Sequence, residues 1–372
     1  MVHKVLVGTT KGAFLLGKDG QEWSVNGPFC DGWPINHFAN DPETGTLWAA
    51  GGGEFPGAGV WRSDDNGESW VLTLLANGKF DEMLANSPEM VEYVGHGPAP
   101  DAPFKGQIDA IWSLKYVGGR LYAGAKPAAL FASDDRGDTW ARVQGLSDHP
   151  SGDSWQPGGA GLTLHTIVAD RADPAKLWVG ISAAGVFATA DGGKTWDRRN
   201  RKSNAETADH GQCGHEVGHC VHNMVQAAGA GEVLYQQNHH GTYRSPDGGR
   251  SWHDITKGLP SNFGFPIAAH PTDPNTLWVL PLNGDSIGRF PPGASAAVYK
   301  STDGGETWAA KTQGLPTKNC YFTVLRQAMA TDATGVYFGT NSGSVFASAD
   351  EGETWNEIAR HLPTVLCVEM QD

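Results

Sequence analysis

An all-β chain folded as a single seven-bladed β-propeller with four-stranded blades is what this sequence predicts. Three observations carry that expectation. A short motif recurs along the whole length, glycine and tryptophan are abundant (50 and 14 of 372 residues) while charged residues make up only 18%, and a C-terminal apolar strand matches a gap at the N-terminal end. So much glycine argues against helices, where each costs about 1 kcal/mol relative to alanine, and for short strands joined by tight turns.

The repeat comes first. SDDNGESW at 63–70 returns as SDDRGDTW at 133–140, TADGGKTW at 189–196 and SPDGGRSW at 245–252. STDGGETW at 301–308 and SADEGETW at 348–355 follow, and GKDGQEW at 17–23 is a degraded seventh copy. Each copy has the chemistry of a hairpin turn. The aspartate accepts hydrogen bonds from its own turn, the glycine two residues later takes positive φ without steric cost, and the tryptophan opens the next strand. Asp65, Asp135, Asp191, Asp247, Asp303 and Asp350 therefore read as structural residues.

This pattern resembles the Asp-box, or BNR, repeat of sialidases, sortilin-type receptors, two-propeller xyloglucanases and photosystem II assembly factors. The resemblance covers nearly the whole chain and implies the propeller. It implies no one function, because those relatives do unrelated things. Sialidase chemistry requires an arginine cluster, a Tyr–Glu nucleophile pair, an acid aspartate and six blades. This chain has seven copies and no Arg-Ile-Pro signature. The xyloglucanases work in a cleft between two propellers, and here residues 1–372 make one.

Blade one lacks an inner strand ahead of Val5-Leu6-Val7. Val365-Leu366-Cys367-Val368-Glu369 follows the last box and is expected to supply it, closing the ring and removing a free edge. Boxes join third to fourth strands and so mark one face, the bottom. The insertions 71–107, 141–161 and 197–218 follow box strands and fall on the top, where long loops on a rigid scaffold build a site or lid.

Counting back thirteen residues from the second-strand aromatic aligns the inner strands. Tyr122 gives Asp109, Trp178 gives His165 and Tyr235 gives His222, where other blades give Ile35, Phe265 and Val324; a shift of one or two residues in blades two and seven would bring Asn36, His37 or Thr323 into the column. Asp109, His165 and His222 are thus the expected catalytic cluster at the top of the channel, with a structural polar network as the competing explanation. Glu54, Lys126, His240 and Tyr321 are the expected substrate-holding residues. The lid aromatics Phe80, Tyr93, Phe104 and Trp155 serve either as stacking surfaces or as loop anchors.

Histidines crowd the segment before blade five, including a literal H-E-x-x-H at His215–His219. Gly214 and Gly218 disfavour the helix a protease-type zinc site needs. A propeller-axis metal set is the better reading, drawn from His165, His222, Asp109, His215, His219, His239 and His37, with zinc, iron or manganese as the divalent ion. The expected function is an enzyme of hydrolase or lyase type acting on a small molecule or saccharide in a lidded axial pocket. The alternative is a non-catalytic scaffold for protein or ligand binding.

With 41 acidic against 27 basic residues the formal net charge is −14, so neither nucleic acid nor an anionic membrane is an expected partner. No apolar run approaches the roughly 20 residues of a membrane span. The five cysteines are odd in number and scattered, and no leader pattern opens the chain. Cytoplasm is the expected compartment.

Overall fold

The computed structural model describes residues 4–20, 22–200, 217–218, 220–229 and 231–371. Seven four-stranded antiparallel sheets are arranged as the blades of a β-propeller. The inner strands are Val365–Met370, Ile35–Asp41, Ala110–Val117, Thr163–Ala169, Val221–Gln226, Gly264–Ala269 and Met329–Thr331, for blades one to seven. Blade one is closed by both ends of the chain. Val7 pairs with Val368 and Gly8 with Cys367, which places Val365–Met370 beside Lys4–Thr9. Among the described residues no helix is long and apolar enough to cross a membrane.

The boxes behave as their chemistry requires. In blade three, Ser133 Oγ donates to Asp135 Oδ1 at 2.7 Å and accepts from Gly137 N–H at 2.8 Å. Asp135 also accepts from the Thr139 amide and hydroxyl at 2.9 and 2.6 Å, and Gly137 has φ +94°. Second-strand tryptophans tie three of these turns to a neighbouring blade. Trp48 Nε1 donates to the Arg136 carbonyl, Trp178 to Gly248 and Trp278 to Glu351, each a box turn of the following blade. Lateral coupling thus runs through indole rings that are fully buried.

These bonds set an acid limit. Hydroxyl donation from Ser69, Thr139 and Thr307, then their amides, draws Asp65, Asp135 and Asp303 down to about 2. A carboxylate depressed in the folded state stabilises fully above its unfolded pKa of about 4 and loses that contribution as pH falls toward 2. The melting temperature should therefore drop between about pH 4 and 2. Asp247→Ala, which removes one half-buried set of turn bonds, should cost about 1 kcal/mol and leave any turnover intact. A melting curve unaffected by that substitution would contradict the structural reading of the boxes.

Candidate functional site

Six of the seven inner strands carry a β-bulge near their top end, and the bulge decides what lines the channel. The unpaired residue is Asn36 in blade two, Trp112 in blade three, His165 in blade four and His222 in blade five. Blade six bulges at Phe265–Pro266 and blade one at Leu366. A bulge adds a residue and re-aims its side chain.

The register corrects the thirteen-residue count. Trp178 faces Val168, but Tyr122 faces Lys115 and Tyr337 faces Ala330. The hairpins of blades three and seven are each three residues shorter than that of blade four. In blade three the turn is Gly118-Gly119, both at positive φ, the geometry of a tight two-residue loop. Trp112 therefore stands where Asp109 was expected, Gln327 where Val324 was, and Asn36 where Ile35 was.

Asp109 is exposed just ahead of its strand, its amide bonded to the Lys126 carbonyl. It is a charged neighbour of Lys79, which pairs with Glu54 at 2.5 Å, and it is not among the groups acting on His165 or His222. Lys126 lies over the Trp112 ring at 5.9 Å. Tyr321 is 66% exposed and meets Phe290 edge-on. His240 is exposed and stacks edge-to-face on His239. His37 belongs to the other half of the channel, its Nδ1 against Leu114 and its Nε2 2.9 Å from Glu369. His215 and His219 lie outside the described residues.

His165 and His222 are each 1% exposed. Burial pushes both imidazoles well below their ordinary pKa, and the nearby Arg326 charge adds to the effect, so both are neutral. His222 Nδ1 donates to the Gly264 carbonyl at 2.6 Å, which leaves the Nε2 lone pair available. His165 Nδ1 meets the Thr166 hydroxyl at 3.0 Å, while its Nε2 is buried without a hydrogen-bond partner.

Around this pair the top face closes into a cup. Cys220, His222 and His239 each place a donor atom within 4.8 Å of the others. The His239 amide bonds the Cys220 carbonyl, holding two of the three backbones together. Asp285 stands 3.9 Å from His239 Nε2 and is itself paired with Arg289 at 2.6 Å. Arg326 packs 4.9 Å over the Phe265 ring. Its Nε is buried without a hydrogen-bond partner, and among the described residues no carboxylate pairs with it.

Gly158–Gly161 roofs the cup. A Cβ at Gly158 would meet Ser182 Oγ at 2.8 Å and Cys220 Sγ at 3.7 Å, and one at Gly159 would stand 3.7 Å from Arg289. Of the lid aromatics, Trp155 and Phe104 pack on the blade cores through Phe187 and Phe131 and act as anchors. Phe80 packs on Phe55, and Tyr93 is 85% exposed.

A cavity of about 470 Å³ occupies the lower half of the channel. Its ceiling is a pair of hydrogen bonds that cross the axis between non-adjacent blades, Asn223 Nδ2 to the Arg326 carbonyl and Gln327 Nε2 to the His165 carbonyl. This is the flared mouth that converging inner strands leave, and its imidazole–carboxylate pair, His37–Glu369, is satisfied internally. The unsatisfied nitrogens and the thiol lie above the crossbars.

The BNR/Asp-box repeat profile matches residues 299–310. The chain is a seven-bladed β-propeller that carries an Asp-box repeat. No curated protein matches it by sequence, but solved propellers resemble it in structure. YCF48 bound to a D1 peptide superposes with TM-score 0.54 at 14% identity, over 87% of this chain and 82% of that one. An ancestral GH74 enzyme gives TM-score 0.56 at 15% identity over 87% of this chain, which spans only 38% of that enzyme. A putative 6-phosphogluconolactonase from Bacteroides uniformis gives 0.57 at 10% identity over 99% of both chains. At these identities the likeness of this Asp-box propeller to them is one of fold.

Proposed function

We propose that this Asp-box propeller is an enzyme of hydrolase or lyase type that acts on a small anionic molecule in the top-face cup. The observation that carries the reading is the convergence of Cys220, His222 and His239 beside a guanidinium whose Nε has no partner. A neutral imidazole next to a cation is the pairing both reaction types need. The base removes a proton, from water in hydrolysis or from carbon in elimination, and the cation stabilises the negative charge that develops.

His239 is the half-buried imidazole of the set and so the one able to exchange protons with solvent. It takes the proton of the attacking water as the new carbon–oxygen bond forms, and returns it to the leaving oxygen as the old bond breaks. His222, fixed by Gly264, presents its lone pair to the same space. Arg326 binds the anionic group of the substrate, since a partly buried guanidinium without a carboxylate partner is most readily satisfied by a bound anion.

A binding scaffold is the second reading. Phe55, Ile287 and Tyr321 on the top face are 57%, 60% and 66% exposed, and a structural neighbour is described bound to a peptide. Substrate charge separates the two. Matched anionic and neutral esters, lactones and glycosides should show turnover confined to anionic members, and Arg326→Met should raise KM for these by about 10- to 100-fold, the worth of a charged hydrogen bond. Absence of turnover across the panel, or turnover indifferent to substrate charge and to Arg326, would overturn the enzymatic reading in favour of the scaffold.

A further inference from the structure

We infer that Cys220, His222 and His239, the three ligands that converge among the described residues, hold a zinc ion. The inference rests on the same cup as the proposed function, but on its donor chemistry and not on turnover. It reassigns His239: as a ligand it would no longer be the base, and the zinc would supply that role by lowering the pKa of a bound water. One thiolate and two imidazoles form a borderline-soft set that suits zinc better than the carboxylate-preferring manganese or magnesium. Their donor atoms already lie within 4.8 Å of one another. Bond lengths of about 2.0–2.3 Å to a shared ion then require only small side-chain rotations.

The surroundings are those of a ligand shell. His222 donates Nδ1–H to the Gly264 carbonyl at 2.6 Å, the outer hydrogen bond that fixes the tautomer and orientation of a ligating imidazole. Asp285, 3.9 Å behind His239 Nε2 and clamped by Arg289, is placed as the outer carboxylate for the second imidazole.

A second feature independently marks the cup as built for a ligand. Arg326, a charged neighbour of Cys220 and His222, has a buried Nε without a hydrogen-bond partner. Stranding a buried polar atom costs on the order of 1–3 kcal/mol, a cost that packing alone gives no reason to retain. Catalytic zinc keeps three protein ligands and structural zinc four; among the described residues three converge here.

The test uses the full chain without an affinity tag, dialysed against micromolar zinc and then against metal-free buffer, with metal per chain read by plasma mass spectrometry. One retained zinc per chain is expected. After exchange for cobalt(II) the protein should show tetrahedral visible bands and a thiolate-to-cobalt charge-transfer band in the near ultraviolet. Cys220→Ser should abolish the charge-transfer band while the chain stays folded by circular dichroism, and His239→Ala should weaken metal affinity at least about tenfold. A folded wild-type chain with no bound metal, or a charge-transfer band that survives Cys220→Ser, would overturn the inference. Metal-free protein that turns substrate over at the wild-type rate would remove the zinc and leave the enzymatic reading standing. Zinc bound through Cys220 in a chain that turns over no anionic substrate would do the reverse.

Discussion

Removing residues 363–372 should abolish cooperative folding altogether. The deletion takes away the inner strand of blade one, Val365–Met370, and with it four side chains buried in the ring, Val365, Cys367, Val368 and Met370. At about 1.5–3 kcal/mol for each buried side chain of this size, the loss is on the order of the entire stability of a typical domain, about 5–15 kcal/mol. It also leaves the Lys4–Thr9 strand with an unpaired edge. Calorimetry of the truncated chain should show no transition, with aggregation in its place. A truncated chain that melts like the intact one would refute closure by the C-terminal strand.

His239→Ala should lower kcat by at least about 100-fold, whether the imidazole moves the proton itself or holds a zinc that would activate the water. The side chain is half-buried at the top of blade five, against Phe263, His222 and His240, so the accompanying loss of stability should be only about 1 kcal/mol. The contrast with Asp247→Ala is informative. That substitution costs comparable stability on the bottom face and should leave kcat unchanged. Equal effects of the two on kcat would mean that His239 acts through general stability and not through chemistry.

The architecture was legible in the sequence because the box is a local device. A hydroxyl, an aspartate, a glycine and a tryptophan within eight residues specify a turn without help from elsewhere, and Ser133, Asp135, Gly137 and Thr139 make the bonds their chemistry implies. Closure was equally legible, since Val5-Leu6-Val7 lacked an inner partner and Val365–Glu369 had nowhere else to pair.

The site was legible only in part. His165 and His222 stand at equivalent bulges because blades four and five have hairpins of the same length. Asp109 was carried to that level only by assuming blade three had it too. The Gly118-Gly119 pair signals the shorter turn, and reading it would have moved the column to Trp112. Arg326 and Arg289 reach the cup from irregular segments of blades seven and six that no strand periodicity locates. Cys220 was visible beside the histidine-rich run, but its partnership with His239 depends on the pairing of Val221 with Asn238, a tertiary fact.

Whether chemistry belongs to the cup above the Asn223 and Gln327 crossbars or to the cavity below them is the question on which the account turns. A crystal structure of the His239→Ala chain soaked with an anionic substrate that the wild type turns over answers it directly. The account predicts the substrate in the top-face cup, its anionic group on Arg326 and its reacting atom facing Cys220 and the vacated His239 position. Substrate seated instead in the lower cavity, beside His37 and Glu369, would contradict it.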